Sequence, residues 1–146
     1  MEEMQIMKKI RPEIILLDGI QSASGLLTFM DKPEDFPIQI KRTFWISRVP
    51  EGGVRGVHAH LEENQVLVCL QGRLKVFLED LRGEKFQFEL TEPNQALVLP
   101  ALVWSEVTFH DAAILLVLSN KFFSEKDYIR KKQDFERLQQ EYKVRL

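Results

Sequence analysis

The sequence predicts an all-β sandwich or barrel carrying one C-terminal helix, and three observations lead there. Apolar runs of about five residues recur along residues 13–120, broken by Gly, Pro, Asn and Asp. Lys85-Phe86-Gln87-Phe88-Glu89-Leu90 alternates strictly, the mark of a strand with one wet face. After residue 124 the period changes, and Tyr128, Phe135, Leu138 and Tyr142 recur at roughly helical spacing amid charges.

The elements follow in order. Glu13 to Leu17 is the first strand and ends at Asp18-Gly19; Leu26 to Met30 is the second. Gln39 to Ser47 is entered through the turn-rich segment Asp31 to Pro37, and the loop Pro50-Glu51-Gly52-Gly53 leads to a strand from Arg55 to His60. Gln65 to Leu70 and Arg73 to Leu78 read as two strands joined by a hairpin at Gln71-Gly72. Leu81-Arg82-Gly83-Glu84 turns the chain into Phe86 to Leu90, followed by Ala96 to Leu99. Ser105 to Phe109 and Ala113 to Ser119 flank a turn at His110-Asp111, where His110 reads as a surface residue. Ile114 to Leu118 is apolar throughout, so both of its faces are expected to be covered. Ser124, with Asp127 three residues on, predicts the start of an amphipathic helix over about 124–142. Its charges Lys126, Arg130, Lys131 and Lys132 read as a solvated face.

With 146 residues the chain is expected to be a single domain over 1–146 with a substantial core. A formal net charge of −2 provides no global field for nucleic acid or anionic membranes, so any anionic ligand needs local Arg or Lys. Cys69 is the only cysteine, which excludes an intrachain disulfide; among Val66, Leu67, Val68 and Leu70 it reads as a core thiol. Met1-Glu2-Glu3 opens without the apolar stretch of a secretion signal, and no apolar run reaches membrane-spanning length. A cytoplasmic protein is expected.

The chemistry concentrates in His58-Ala59-His60. Residues i and i+2 of a strand share a face, so both imidazoles are expected to enter one space. Gly52, these histidines, Gln65 and Gly72 together read Gly-(x)5-His-x-His-(x)4-Gln-(x)6-Gly, and this spacing resembles the first cupin motif, with Gln65 where metal-binding cupins carry Glu. Pro100-Ala101-Leu102-Val103-Trp104-Ser105 resembles the second motif, with Ser105 in place of its histidine. Two strong ligands out of four are too few for a stable first-row metal site, so no metal and no other cofactor is expected.

Further stretches narrow the resemblance. Ile40-Lys41-Arg42, Arg55-Gly56-Val57-His58-Ala59-His60, residues 65–72, Pro100 to Glu106 and the tail Asp127-Tyr128-Ile129-Arg130 are similar to the dTDP-sugar 3,4-ketoisomerases, the WxcM-like or FdtA/QdtA family, over about residues 13–138. The resemblance implies a cupin jelly roll of the RmlC type and a homodimer with exchanged N-terminal strands. The implied activity is a metal-free shift of a carbonyl from C4 to C3 of a dTDP-linked 4-keto-6-deoxyhexose, an early step toward unusual surface sugars. By the same resemblance His58 is the proton shuttle and His60 positions it or handles the hydroxyl proton. Arg42, Arg55 and Gln65 are candidate donors to developing negative charge, Arg42 or Arg55 candidates for the diphosphate, and Trp104 a candidate stacking platform. Ser105 completes the expected substrate-binding set. Three departures from the family pattern stand out: Phe44 and Trp45 stand where tyrosines are usual, Ser22-Ala23-Ser24-Gly25 replaces an Asp-x-Arg/Tyr-Gly sequence, and Ser105 follows the second-motif tryptophan. Each removes a functional group from the sugar end, which leaves the product's C4 stereochemistry open. Two other classes stay open at this point, a non-catalytic nucleotide-sugar binder partnering a sugar-modifying enzyme and a metal-dependent cupin.

Overall fold

The computed structural model describes residues 11–145, and over them the chain forms ten strands and one α-helix. The strands are β1 (Glu13–Leu16), β2 (Asp18–Ser22), β3 (Gly25–Phe29), β4 (Arg42–Ile46), β5 (Val54–His60), β6 (Gln65–Glu79), β7 (Lys85–Leu90), β8 (Gln95–Leu99), β9 (Trp104–Ser119) and β10 (Tyr128–Ile129); the helix is α1 (Lys132–Arg145).

Two long strands organise the fold. β6 and β9 pair antiparallel from Gln65 opposite Ser119 to Glu79 opposite Trp104. The expected hairpin at Gln71-Gly72 and turn at His110-Asp111 are therefore absent; each marks a bend within a continuous strand. The register slips between Cys69 and Gln71 and between Gln71 and Arg73, while Gly72, Asp111 and Ala112 all adopt positive φ. Extra residues at one level kink both strands together, as bulges do. A Cβ on Gly72 would lie 2.6 Å from the Asp111 carbonyl oxygen and 2.7 Å from the Ala113 Cα, so only glycine fits.

The bend divides one ladder between two layers. β8 pairs Gln65 to Val68, β1 pairs β8, and β4 pairs Leu115 to Ser119, which makes the first layer β1-β8-β6-β9-β4. Beyond the bend, β7 pairs Leu74 to Glu79, β5 pairs Ser105 to Thr108 and β10 pairs β5, giving β7-β6-β9-β5-β10. This is the expected jelly-roll arrangement, with no backbone pairing that closes the sheet into a ring among the described residues. Leu67, Leu74, Val76, Leu97, Phe109, Leu115 and Val117 fill the space between the layers. Leu118 and partly buried Leu116 point the other way, against Ile38, Val66, Val68 and Ala96, so the apolar run in β9 is covered on both faces.

The turn at residues 81–84 forms as expected, the Gly83 N–H donating to the Asp80 carbonyl and the Asp80 N–H to that of Glu84. The first strand ends at Leu16, just before Asp18-Gly19 as expected, but that pair also opens β2, which among the described residues pairs only with β3 in a separate, largely exposed hairpin. The helix starts eight residues later than predicted. Ser124 makes no side-chain cap, a single 3₁₀ turn covers Glu125–Asp127, and Tyr128-Ile129 then joins β5 as a strand. Phe135 and Tyr142 of α1, with Leu138 packed alongside, cover Ala59, Leu81, Trp104 and Ile129. No helix among the described residues is long and apolar enough to cross a membrane.

Candidate active site

A cavity of about 570 Å³ opens between the layers, within the size range of small-molecule sites. Phe44, Ile46, Leu67, Leu99, Leu115 and Val117 wall it on one side. Its polar groups are Arg55, His58, Gln65, Ser105, Tyr128 and Arg130.

A bulge sets the first of these. Arg55 pairs with Val107 and His58 with Ser105, so three steps along β5 oppose two along β9. In a regular strand residues three apart face opposite ways; the extra residue turns both Arg55 and His58 into the cavity. Gly56 supplies the required left-handed backbone at φ 68°. Ser105 fastens the loop of chain, its hydroxyl lying 2.7 Å from the Gly56 carbonyl and 3.2 Å from that of His58. Ser105 thus lines the cavity with its proton directed at backbone.

The histidines lie together but not side by side. Their rings meet edge-on with centroids 4.9 Å apart, and Tyr128 packs on both, at 5.0 Å from His58 and 4.3 Å from His60. His58 is on the cavity wall, whereas His60, 4% exposed, is behind it. Burial pulls His58 down to about 4, helped by neighbouring His60 and Arg130 and opposed by Glu125. Burial likewise lowers His60, against the pull of Glu63 and Asp127. Both imidazoles are neutral near pH 7.

A buried network fixes His60. Its Nδ1–H donates to Asp127 Oδ2 at 3.3 Å, and Asp127 in turn accepts the N–H groups of Glu62 at 2.9 Å and Glu63 at 3.1 Å. With Nδ1 protonated, Nε2 of neutral His60 carries the lone pair and accepts from Gln65 Nε2 at 3.4 Å. Gln65 Nε2 also donates to Glu63 Oε2. Arg42 Nη2 bonds both Glu63 oxygens at 3.1 Å, its guanidinium lying over the Phe44 and Phe123 rings. His60, Glu63 and Asp127 thus bring three metal-type ligand atoms within 4.8 Å of one another, but each carboxylate is already taken, by Arg42 and Gln65 or by backbone N–H groups.

Arg55, His58, Gln65 and Ser105 line the cavity together, whereas His60, expected to enter the same space as His58, stands directly behind it. Arg42 does not line the cavity; buried Glu63 holds it. Trp104 does not reach it either. It is 2% exposed on the far face of the sheet, 5.9 Å from Phe135, where α1 covers it. Arg130, expected on a solvated helix face, instead lines the cavity, stacks 4.2 Å over Tyr128 and is gripped by Glu125 at 2.6 and 2.8 Å. Tyr128, Asp127 and Glu63 were not among the residues the sequence singled out for the site. Tyr128 and Arg130 do share the i, i+2 spacing of the histidine pair, a strand signal outweighed by the helical period that follows; Glu63 has no pattern of its own. Cys69 is a core thiol, 1% exposed, with burial pushing its pKa up.

This geometry has relatives. A curated TDP-4-oxo-6-deoxy-alpha-D-glucose-3,4-oxoisomerase from Aneurinibacillus thermoaerophilus is 32% identical over 127 residues, 86% of this chain and 90% of that one. Among solved structures, the sugar 3,4-ketoisomerase QdtA from Thermoanaerobacterium thermosaccharolyticum in complex with TDP superposes with a TM-score of 0.83 at 32% identity, covering 90% of this chain and 96% of that one. A 3,4-ketoisomerase from Helicobacter canadensis gives 0.82 at 30% identity, covering 90% and 98%. The family model described as FdtA, WxcM-like, C-terminal matches residues 10–140, and the chain that folds around this paired-histidine cavity belongs to that family.

Proposed function

We propose that this protein is a metal-independent 3,4-ketoisomerase of a dTDP-linked 4-keto-6-deoxyhexose. The observation that carries the reading is His58, a neutral imidazole on the wall of a hexose-sized cavity with a second neutral imidazole behind it. The relatives' named activity supplies the substrate class.

The reaction moves one hydrogen between neighbouring carbons. His58 takes the proton from C3 of the 4-keto sugar, the electron pair passes toward the C4 carbonyl oxygen, and an enediolate forms. The imidazolium returns the proton at C4, while the hydroxyl proton on O3 transfers to O4, leaving a carbonyl at C3. A base is required that is unprotonated at working pH, and a buried imidazole is one. His60 does not reach the cavity and acts as a positioning residue, its tautomer set by Asp127. Arg55 and Arg130 supply positive charge for the diphosphate or the enediolate. Metal independence is supported by the engagement of the remaining groups: Ser105 faces backbone, and both nitrogens of His60 have partners.

In this reading the enzyme is cytoplasmic, works in deoxysugar biosynthesis for cell-surface glycans such as lipopolysaccharide or S-layer chains, and is a homodimer with exchanged N-terminal strands. The β2–β3 hairpin favours exchange. Among the described residues it pairs with nothing else, and Ile20 and Leu27 are 60% and 61% exposed.

The test is to incubate the protein with dTDP-4-keto-6-deoxyglucose in deuterated water and follow C3 and C4 by NMR. Rearrangement with solvent exchange, lost in His58→Ala, is expected. Binding without exchange at either carbon would instead make the protein a nucleotide-sugar binder.

A further inference from the structure

The amide of Gln65 is not free to present either end to a ligand. Its Nε2 faces Glu63 Oε2 on one side and His60 Nε2 on the other. Glu63 is a carboxylate held by Arg42 and can only accept. His60 has its proton on Nδ1, where Asp127 accepts it, so Nε2 can only accept as well. Turning the amide over would set its oxygen against a carboxylate oxygen and a nitrogen lone pair at once. Both N–H bonds of Gln65 are consumed inside the protein. The side chain is 4% exposed and lines the cavity, and its oxygen has no hydrogen-bond partner among the described residues while not being sealed from the cavity. What Gln65 offers the ligand is a carbonyl.

We propose that Gln65 Oε1 is a hydrogen-bond acceptor for a ring hydroxyl of the sugar, and that the buried Arg42–Glu63 pair is the positioning device that gives the amide this polarity. The inference rests on the ketoisomerase reading and deepens it: the site takes a hexose with a free hydroxyl beside the reacting carbons. It reverses the expectation that Gln65 donates to developing negative charge, because a carbonyl next to an enediolate oxygen repels it. Donation is left to Arg55, Arg130 and Tyr128. Glu63 thereby governs the ligand without touching it, through one amide and one imidazole.

The experiment uses calorimetry and steady-state kinetics on the full chain, with TDP, TDP-4-keto-6-deoxyglucose and its analogues lacking the hydroxyl at C2 or at C3. The wild type is expected to bind one of the two analogues about 10-fold more weakly than the parent, the worth of one well-placed hydrogen bond. Gln65→Met, similar in volume, binds TDP within about twofold of wild type but no longer distinguishes that analogue from its parent. Glu63→Gln presents an N–H to Gln65, turns the amide over and raises KM for the sugar nucleotide more than it lowers kcat. The exchange Glu63→Gln/Gln65→Glu, which again leaves an acceptor facing the cavity, recovers KM. A purely structural role for Glu63 would show no such rescue. Should Glu63→Gln not fold, Gln65→Met and the exchange decide alone. Intact TDP binding together with a hydroxyl preference that survives in Gln65→Met overturns this inference and leaves the ketoisomerase reading standing. Failure of the wild type to bind TDP overturns that reading, and this one with it.

Discussion

At the scale of single residues, His58 sets the pH behaviour. Because its pKa in the folded chain is near 4, the free enzyme keeps its base until well below neutrality. The kcat/KM profile is expected to hold to about pH 5 and fall with a midpoint near 4, whereas an ordinary histidine at 6.5 would lose about tenfold by pH 5.5. The same shift bears on stability. The folded state binds this proton less readily than the unfolded chain does, so the contribution is present above pH 6.5 and lost as pH falls toward 4, on the order of 3 kcal/mol. Urea unfolding at pH 7 and pH 4.5 should show a smaller difference for His58→Asn than for wild type. Activity in His58→Asn should drop by about 10²–10⁴-fold, the usual worth of a positioned base. The histidine pair was legible because its spacing is short and its chemistry rare. Glu63 and Asp127 were not, since a carboxylate in a loop matches thousands of solvated ones until the fold buries it.

At the scale of elements, the bulge in β5 matters most to the site. Gly56→Ala meets no close atom, the nearest being Val107 Cγ2 at 3.6 Å, but must hold φ 68° with a side chain. A loss of about 1–2 kcal/mol in unfolding free energy is expected. A larger fractional loss of kcat than of TDP affinity should accompany it, because His58 turns away while the mouth stays open. The short strand β10 is held from behind. Phe135 is fully buried against the sheet that carries it, so Phe135→Ala should cost about 3–5 kcal/mol, read by urea unfolding. Strand positions were readable from apolar alternation, as β7 shows with each of Phe86, Phe88 and Leu90 turned inward. Connectivity was less so. Gln71-Gly72 carries the residues of a tight turn, and local sequence does not distinguish a glycine that reverses the chain from one that lets two strands bend in contact. The tail was misread for a related reason: Tyr128 falls in step with Phe135, Leu138 and Tyr142 of α1 closely enough to hide the two-residue strand it belongs to.

At the scale of the whole molecule, the β2–β3 hairpin is the element that packs least on the rest of the described residues. If the proposed strand exchange builds a dimer, Ile20→Glu with Leu27→Glu is expected to convert it to monomers in sedimentation, with the fold of the β6–β9 core unchanged by circular dichroism. A β-sandwich or barrel was legible from strand spacing, because many short apolar segments can bury themselves in few other ways, whereas the jelly roll came only from the family resemblance. The long β6–β9 ladder also governs how the protein comes apart. A sandwich made of two separate sheets can shed one and keep the other. Here each layer takes its middle from the same pair of strands, joined through the bend at Gly72 and Asp111, so neither layer can be shed without the central strands of the other. The two walls of the histidine cavity therefore share their central strands and are expected to unfold as one unit.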